Sequence, residues 1–272
     1  MAEWRKLAVI GDPIAHSLSP LLHNTMAREL NLPYQYTARR VPVEALPDWV
    51  AQVRREGYAG FNATMPHKLH LFPMMDRLTE QAQYFGAVNT VRNDGGLLTG
   101  HNTDGDGFAR ALQEHGLVFR GAKVTVLGAG GAAGAIVRKA DQDGAARIVV
   151  MNRTPSRAEA LCSQVHVPAQ ALALGQAVPA DTDLLISTIP VGNNLDCAFV
   201  QSLSADCAVF DIVYAPPKTP LLLAAEARGL LAVNGLGMLI HQAVLAFSFL
   251  TGADVDALEM PKILYQAVRN EA

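Results

Sequence analysis

One short run of small residues, between a predicted strand and a predicted helix, constrains the fold of this chain more than any other feature. Residues 123–127, KVTVL, are rich in β-branched side chains as in a buried strand, and residues 131–139, GAAGAIVRK, are Ala-rich as in a helix. The junction has the spacing G-x-G-x-x-A, which permits a tight turn, a close approach of the backbone to a pyrophosphate and close packing of helix on strand. This spacing predicts a dinucleotide site formed by Gly128, Ala129, Gly130, Gly131, Ala132 and Ala133. A glycine-rich turn without a ligand is the alternative.

The end of the next predicted strand, 147–151, distinguishes NADP from NAD. An NAD enzyme places an Asp or Glu about twenty residues after the glycines, where it binds the ribose 2′-hydroxyl. This chain has no acid there; Asn152, Arg153 and Thr154 follow the strand, and Arg157 lies one turn further on. Because guanidinium groups bind phosphate in a bidentate manner, the segment favours NADP. The alternative is a solvated basic turn before a helix.

Composition excludes several broad classes of protein. With 272 residues, half of them hydrophobic and 17% charged, the chain has room for about two compact domains. A net charge of −3 indicates neither nucleic acid nor an anionic membrane as a partner. Three cysteines without a C-x-x-C pair favour reduced thiols in a cytoplasmic protein. His67 and His70 have helical spacing but no third ligand, so we expect no metal site.

The N-terminal third of the chain predicts an α/β domain. Strands and helices alternate in the order 6–10, 20–30, 34–41, 43–56 and 58–63. Ser19 precedes Pro20, the signature of a helix N-cap followed by proline in the first turn. That interpretation leaves Ser17 without a structural role, so the two hydroxyls could instead hold a carboxylate or a polyol.

Two charged residues in this region are candidates for proton transfer. Lys68 follows Pro66 at the N-terminal end of a predicted helix, where an amine could act as a general acid or base. A solvated surface lysine is the alternative. Asp104 follows a predicted hairpin, 87–100, and precedes a helix predicted to begin at Phe108. Asp104 is predicted either to cap that helix or, if it lies near Lys68, to hold the amine.

The region after the glycine-rich loop continues the same alternation of strands and helices. Strands at 183–188 and 208–214 with intervening helices predict a doubly wound parallel sheet. Residues 236–250 are apolar but too short to span a bilayer, and they predict a buried helix. Gln242 within that helix needs a polar partner, which could be substrate or backbone.

Taken in order, the motifs resemble those of the shikimate dehydrogenase family over essentially the whole chain. The resemblance rests on the segments 17–20 (SLSP), 62–68 (NATMPHK), 86–90 (GAVNT), 102–105 (NTDG), the Gly128 loop, 152–154 (NRT), 211–214 (DIVY) and 234–238 (NGLGM).

The resemblance implies an α/β protein of two domains with an active-site cleft between them. Residues 1–104 and 238–272 would form a discontinuous substrate domain, and residues 105–237 a Rossmann-like, doubly wound NADP domain. The implied activity is reversible, NADP-dependent reduction of 3-dehydroshikimate to shikimate by a monomer or homodimer.

The resemblance also implies a role for individual residues. Lys68 and Asp104 would be the catalytic pair. The implied substrate ligands are Ser17, Ser19, Asn62, Thr64, Asn89, Tyr214 and Gln242. The implied cofactor ligands, beyond the glycine-rich loop and the basic segment, are Thr188, Ile212, Gly235 and Met238.

Departures from the family pattern keep other interpretations open. In the loop 187–193, Ser187 stands for Asn, Ile189 for Thr and Asn193 for Met, and Ala63 stands for the usual Val near Lys68. These changes leave a quinate/shikimate dehydrogenase, or a paralogue of altered specificity, as an alternative. A non-catalytic regulator that binds shikimate and NADP is an alternative of another class.

Overall fold

The computed structural model describes residues 4–190 and 195–271, which divide into two compact units. Unit 1 contains the residues up to Gly107 and those from Ile240 onward, and unit 2 is Phe108–Leu239. The chain passes between the units within two helices, one near residue 107 and one near residue 240. The division lies close to the predicted domain limits at 104 and 238. Which ligand each unit binds stays a prediction.

Unit 1 alternates strands and helices through its first half. Its elements are β1 Arg5–Gly11, α1 Ser19–Glu29, β2 Tyr34–Arg40, α2 Leu46–Arg55, β3 Tyr58–Ala63, α3 Lys68–Leu71, β4 Arg77–Leu78, α4 Glu80–Phe85, β5 Thr90–Asp94, β6 Leu97–His101 and the start of α5 Asp104–Gln113. The C-terminal part of α9 Leu236–Thr251 and α10 Glu259–Glu271 complete it.

The sheet of unit 1 has the strand order β2-β1-β3-β5-β6-β4. Strand β1 is parallel to both of its neighbours, whereas β5 is antiparallel to β3 and β6. The predicted hairpin is present, and Gly95 and Gly96 form its two-residue turn with φ values of 64° and 97°. Its first strand begins at Thr90, three residues later than the pattern 87–91 indicated, because the amide of Asn89 bonds to His101 O outside the regular ladder.

The starts of two helices in unit 1 differ from the prediction. Ser19 is the first residue of α1 and not its cap, since Leu18 O accepts the first helical bond and the Ser19 amide donates to Ser17 Oγ at 3.3 Å. Helix α5 begins at Asp104, not at Phe108, so Asp104 does not cap a later helix. The predicted start was too late because glycine has a low helix propensity. A Cβ on Gly107 would lie 2.7 Å from Gln242 Cβ, so the packing of α5 against α9 requires glycine at this position.

Unit 2 contains one sheet with helices between its strands. Its elements after α5 are β7 Lys123–Leu127, α6 Gly131–Gln142, β8 Arg147–Asn152, α7 Pro155–Cys162, β9 Ala169–Ala173, β10 Leu184–Ser187, β11 Ala208–Asp211, α8 Pro220–Ala227, β12 Leu231–Asn234 and the start of α9.

All strands of this second sheet are parallel, which confirms the predicted doubly wound fold. The strand order is β12-β11-β10-β7-β8-β9. Read from β9 to β12, with β7 counted as strand 1, this is the order 3-2-1-4-5-6 of dinucleotide-binding sheets. Its switch point lies between β7 and β10. Strand β11 stops at Asp211, three residues before the predicted end, because the Val213 amide bonds to Asp211 Oδ1. Strand β9 was not predicted.

Helix α9 forms over the apolar segment, as predicted. Ile240, Ala243 and Phe247 on it are fully buried. Among the described residues, no helix is long and apolar enough to cross a membrane.

Candidate functional site

Lys68 and Asp104, which are 36 residues apart in sequence, form an ion pair in unit 1. Lys68 is the first residue of α3 and Asp104 the first residue of α5, and Lys68 Nζ lies 2.6 Å from Asp104 Oδ2. The Lys68 side chain is 17% exposed and that of Asp104 only 4%. A carboxylate so far removed from water needs partners for both oxygens.

Asn89 supplies the partner for the second oxygen of Asp104. Its Nδ2 donates to Asp104 Oδ1 at 2.8 Å and to Thr103 Oγ1 at 3.0 Å. Its backbone is held on both sides, because Asn89 O accepts from the Ala63 amide and the Asn89 amide donates to His101 O. The amide side chain is therefore presented to Asp104 from a fixed position in the sheet.

Asn102 and Thr103, which the sequence alone did not single out, shape the turn that ends in Asp104. Asn102 Oδ1 accepts from the Asp104 amide at 3.0 Å, and its Nδ2 donates to Ala87 O at 3.0 Å. Both residues are fully buried. Thr103 Oγ1 also lies 3.4 Å from Gln242 Oε1, and so contacts the polar residue of α9 that was predicted to need a partner.

Four other predicted substrate ligands of unit 1 lie near the ends of β1 and β3: Ser17 in the loop after β1, Ser19 at the start of α1, Asn62 within β3 and Thr64 directly after it. Ser17 and Thr64 are partly buried and Ser19 is buried. In the described part of the chain, none of these three hydroxyls is hydrogen-bonded to the Lys68–Asp104 pair. Asn62 does connect to it, through Thr90 and Asn89. Tyr214 lies in unit 2, three residues after the end of β11.

The glycine-rich loop of unit 2 leaves β7 at the switch point of the sheet. Gly128 has φ +107°, and a Cβ there would lie 2.3 Å from Thr188 Oγ1, so only glycine fits. Thr188 itself is held by two bonds to Leu127 O, from its amide at 2.8 Å and its hydroxyl at 2.9 Å. Gly130, in contrast, has open space where a side chain would stand. Ala133 is fully buried and packs α6 onto the sheet.

The basic segment follows β8 as predicted. Asn152 ends the strand, and its Nδ2 donates to Thr154 O at 2.9 Å. Arg153, Thr154 and Arg157 are exposed. Neither arginine forms an ion pair with a carboxylate within the described residues, which leaves both guanidinium groups available to an anion.

Three further predicted cofactor ligands follow the last two strands of unit 2, Ile212 after β11, and Gly235 and Met238 after β12. A Cβ on Gly235 would lie 1.8 Å from Ile212 O, so these two backbone segments pass each other at a distance that excludes any side chain. Met238 is 8% exposed and packs in the core of unit 2. Of the divergent loop, residues 187–190 are described, whereas Val191, Gly192 and Asn193 lie outside the described residues.

The residues of unit 2 fit a dinucleotide that carries a 2′-phosphate. Gly128 makes the tight turn, and Gly130 leaves room for a pyrophosphate before the free amides of α6, a helix of 12 residues. The exposed arginines provide the charge that a phosphate requires.

Three protein-family models match successive parts of the chain. They are described as the shikimate dehydrogenase substrate binding domain, over residues 9–91, shikimate / quinate 5-dehydrogenase, over 110–203, and the shikimate 5′-dehydrogenase C-terminal domain, over 235–269. Among curated relatives, shikimate dehydrogenase (NADP(+)) of Methanopyrus kandleri is 40% identical over 282 residues, covering 98% of this chain and 97% of that protein.

Solved structures of similar proteins cover nearly the whole chain. Shikimate 5-dehydrogenase from Thermus thermophilus, in complex with NADP(H) and shikimate, is similar with a TM-score of 0.85 at 37% identity, covering 97% of this chain and 99% of that one. The ligand-free 5-ketofructose reductase of a Gluconobacter species is similar with a TM-score of 0.87 at 30% identity, covering 98% and 99%.

Proposed function

The chain belongs to the shikimate dehydrogenase family, and from that premise we propose that it catalyses the reversible, NADP-dependent reduction of 3-dehydroshikimate to shikimate in chorismate and aromatic amino-acid biosynthesis. The observation that carries this proposal is the 2.6 Å contact between Lys68 Nζ and Asp104 Oδ2. It places a proton donor next to a buried carboxylate, in the same chain as a dinucleotide loop followed by unpaired arginines.

Lys68 is the proton donor in this proposal. NADPH, when bound, supplies the hydride to the carbonyl carbon of the substrate. As negative charge grows on the carbonyl oxygen, the protonated Lys68 amine stabilises it and delivers a proton. In the oxidation direction the neutral amine takes the proton back from the hydroxyl. Asp104 holds the amine in place and accepts a hydrogen bond from the neighbouring substrate hydroxyl.

In this proposal polar side chains hold the substrate. We assign the substrate carboxylate to the hydroxyls of Ser17 and Ser19. The carboxylate or the ring hydroxyls are assigned to Thr64, Asn89, Tyr214 and Gln242. Support for the assignment of Asn89 and Gln242 comes from their contacts with Asp104 and Thr103. Asn62 is connected to Asn89 by its hydrogen bond to the Thr90 hydroxyl.

Unit 2 holds NADP in this proposal. The loop from Gly128 to Ala133 receives the pyrophosphate, and Arg153 and Arg157, with Asn152 and Thr154, receive the 2′-phosphate. Thr188 contributes its hydroxyl beside the switch point, directly after β10, and Ile212 and Gly235 contribute backbone groups after β11 and β12. Met238 packs in the core and would contribute an apolar edge.

One similarity favours a second candidate substrate class. The likeness to 5-ketofructose reductase shows that a protein with this fold, at 30% identity, is named for a different polyhydroxylated ketone. Discrimination between such ketones depends on which hydroxyls the pocket binds. Quinate and 5-ketofructose therefore belong in the test beside shikimate.

A spectrophotometric assay of the purified protein tests the proposal. We expect NADP⁺ reduction with shikimate, weak reduction with NAD⁺, and no turnover in Lys68→Ala. Faster turnover of quinate, or of 5-ketofructose with NADPH, would assign the other substrate. Binding of shikimate without any turnover would identify a non-catalytic regulator.

We also propose a cytoplasmic monomer or homodimer. The three cysteines are free, which supports a reducing compartment. Cell fractionation with the same assay, and light scattering of the purified protein, test the two statements.

A further inference from the structure

A line of hydrogen bonds leads to Asp104 and includes Tyr36 and Thr90, two residues that the proposed reaction does not use. Tyr36 Oη lies 2.7 Å from Asn62 Oδ1, and Asn62 Nδ2 lies 2.9 Å from Thr90 Oγ1. Thr90 Oγ1 lies 2.8 Å from Asn89 Oδ1, and Asn89 Nδ2 lies 2.8 Å from Asp104 Oδ1. We refer to these five residues as the polar chain.

Backbone groups fix the direction of every bond in the polar chain. Asn89 O is a carbonyl oxygen and can only accept, and it lies 3.2 Å from Asn62 Nδ2. Asn62 Oδ1 must therefore face Tyr36. Asn89 Oδ1 faces the Thr103 amide at 3.0 Å, which can only donate, so Asn89 Nδ2 must face Asp104. Since Thr90 Oγ1 accepts from Asn62, its own proton points to Asn89. Each donor therefore points toward Asp104.

The surroundings hold the far end of the polar chain in one protonation state. Tyr36 is stacked on His23, with ring centroids 4.0 Å apart. Burial raises the pKa of the Tyr36 hydroxyl and lowers the pKa of His23 to about 3. Tyr36 therefore remains a donor across the working range of pH, and the polar chain keeps its direction.

We propose that Thr90 is a positioning residue for the reaction, and that Tyr36 and Asn62 act through it. The Thr90 hydroxyl fills the second acceptor position of Asn89 Oδ1, beside the Thr103 amide. The bond from Thr90 adds to the bond from the Thr103 amide, and together they hold the Asn89 side chain with its Nδ2 on Asp104. Hydrogen bonds aligned in one direction also polarise one another, which strengthens the last bond, the one to the carboxylate. This inference rests on the proposed function.

Removal of one hydroxyl tests the role of Thr90. Thr90→Val keeps the shape and the burial of the side chain but breaks the polar chain in the middle. We expect kcat with shikimate to fall about ten-fold, which corresponds to one ordinary hydrogen bond, while KM for NADP⁺ is unchanged. Thr90→Ser retains the hydroxyl and should restore kcat. Calorimetric titration with shikimate counts the competent sites, so that kcat is expressed per competent site.

The matched control is another buried threonine whose hydroxyl is hydrogen-bonded to a buried polar side chain. Thr125 in unit 2 lies 2.8 Å from Thr182 Oγ1, and both are outside the proposed site. Thr125→Val should lower Tm as Thr90→Val does, but leave kcat per competent site unchanged. An equal loss of kcat in both variants would show that Thr90 is merely structural.

Tyr36→Phe provides a second test, because it leaves the stacked ring in place. We expect kcat to fall about three-fold, since the bond that is lost lies furthest from Asp104. In the double variant with Thr90→Val, the loss should equal that of Thr90→Val alone, because Tyr36 acts only through Thr90. Additive losses, or full activity in Thr90→Val, would overturn the inference. A wild-type protein that does not turn over shikimate would instead refute the proposed function.

Discussion

The two candidate half-sites of this molecule are built in opposite ways. In unit 1, Lys68, Asn89 and Asp104 come from distant points of the sequence and meet as hydrogen-bonded side chains, of which Asn89 and Asp104 are buried and Lys68 is partly buried. In unit 2, the loop Gly128–Ala133 is continuous, offers mostly backbone, and is followed by exposed arginines. A site that binds by backbone can be local in sequence, whereas a site that moves a proton needs side chains that the fold brings together.

The largest effect should follow removal of the buried charge in unit 1. Asp104→Asn keeps the size of the side chain but cannot hold the Lys68 amine as an anion does. We expect kcat with shikimate to fall about 1,000-fold, in the range of general acid-base contributions. The exposed Asp94, which pairs with Arg92 at 2.9 Å in a hairpin turn, provides the control. Asp94→Asn should keep full activity; a comparable loss there would mean that charge, and not position, is what matters.

The glycine-rich loop should respond differently at two neighbouring glycines. Gly128→Ala forces a Cβ at positive φ to within 2.3 Å of Thr188 Oγ1. We expect it to destabilise the protein by about 3 kcal/mol, from backbone strain and overpacking. Scanning calorimetry measures this as a lower Tm.

Gly130→Ala separates cofactor binding from folding. Gly130 has an extended backbone with open space around it, so alanine should leave Tm unchanged. The methyl group occupies the space left for the pyrophosphate, and we expect the Kd for NADP⁺ to rise at least about ten-fold. Unchanged NADP⁺ affinity in this variant would place the dinucleotide elsewhere.

The exposed arginines should set the choice of cofactor. In the proposal, Arg153 and Arg157 bind only the 2′-phosphate, which NAD lacks. We expect Arg153→Ala and Arg157→Ala each to raise the Kd for NADP⁺ about ten-fold, the value of one charge-assisted hydrogen bond, and to leave NAD⁺ binding unchanged. Arg55, an exposed arginine on α2, is the control. Equal weakening of both cofactors would show a general electrostatic effect.

This contrast also explains how much the sequence alone could predict. The strand β7, the loop after it and helix α6 were predicted correctly because turn chemistry and periodicity are local. The doubly wound sheet followed from the same alternation. In unit 1 the first three strands were predicted nearly to the residue, whereas the predicted start of β5 was three residues too early and β4 was not predicted. The start of α5 was missed because Gly107 is selected by contact with Gln242, far along the chain.

The residues that support Asp104 were beyond the reach of pattern alone. Nothing in the spacing of Thr90, Asn102 or Thr103 shows which polar groups they contact. Buried polar side chains require partners, but the partners are fixed only by the pairing of strands β3, β5 and β6.

The last prediction concerns stability: the free energy of unfolding should depend on pH differently in the two units. Burial lowers the pKa of His23 to about 3 and that of His101 to about 4, and both residues lie in unit 1. At a pH between these values and 6.5, the ordinary pKa of histidine, the two histidines bind more protons in the unfolded chain than in the folded one. Stability of unit 1 should therefore fall on acidification, by about 1.4 kcal/mol per pH unit for each fully titrating histidine. In unit 2, burial raises the pKa of Asp211, so the titration of that carboxyl favours the folded form on acidification.

The fluorescence of tryptophan can follow this difference, because Trp4 and Trp49 are the two tryptophans of the chain and both lie in unit 1. We expect the midpoint of thermal unfolding by fluorescence to fall between about pH 7 and about pH 5. His23→Phe keeps a ring against Tyr36 but has no proton to bind, so its midpoint should fall less steeply. His16→Gln, at an exposed histidine, is the control and should follow the wild type. Identical slopes in all three proteins would mean that His23 does not make unit 1 the acid-sensitive half of the molecule.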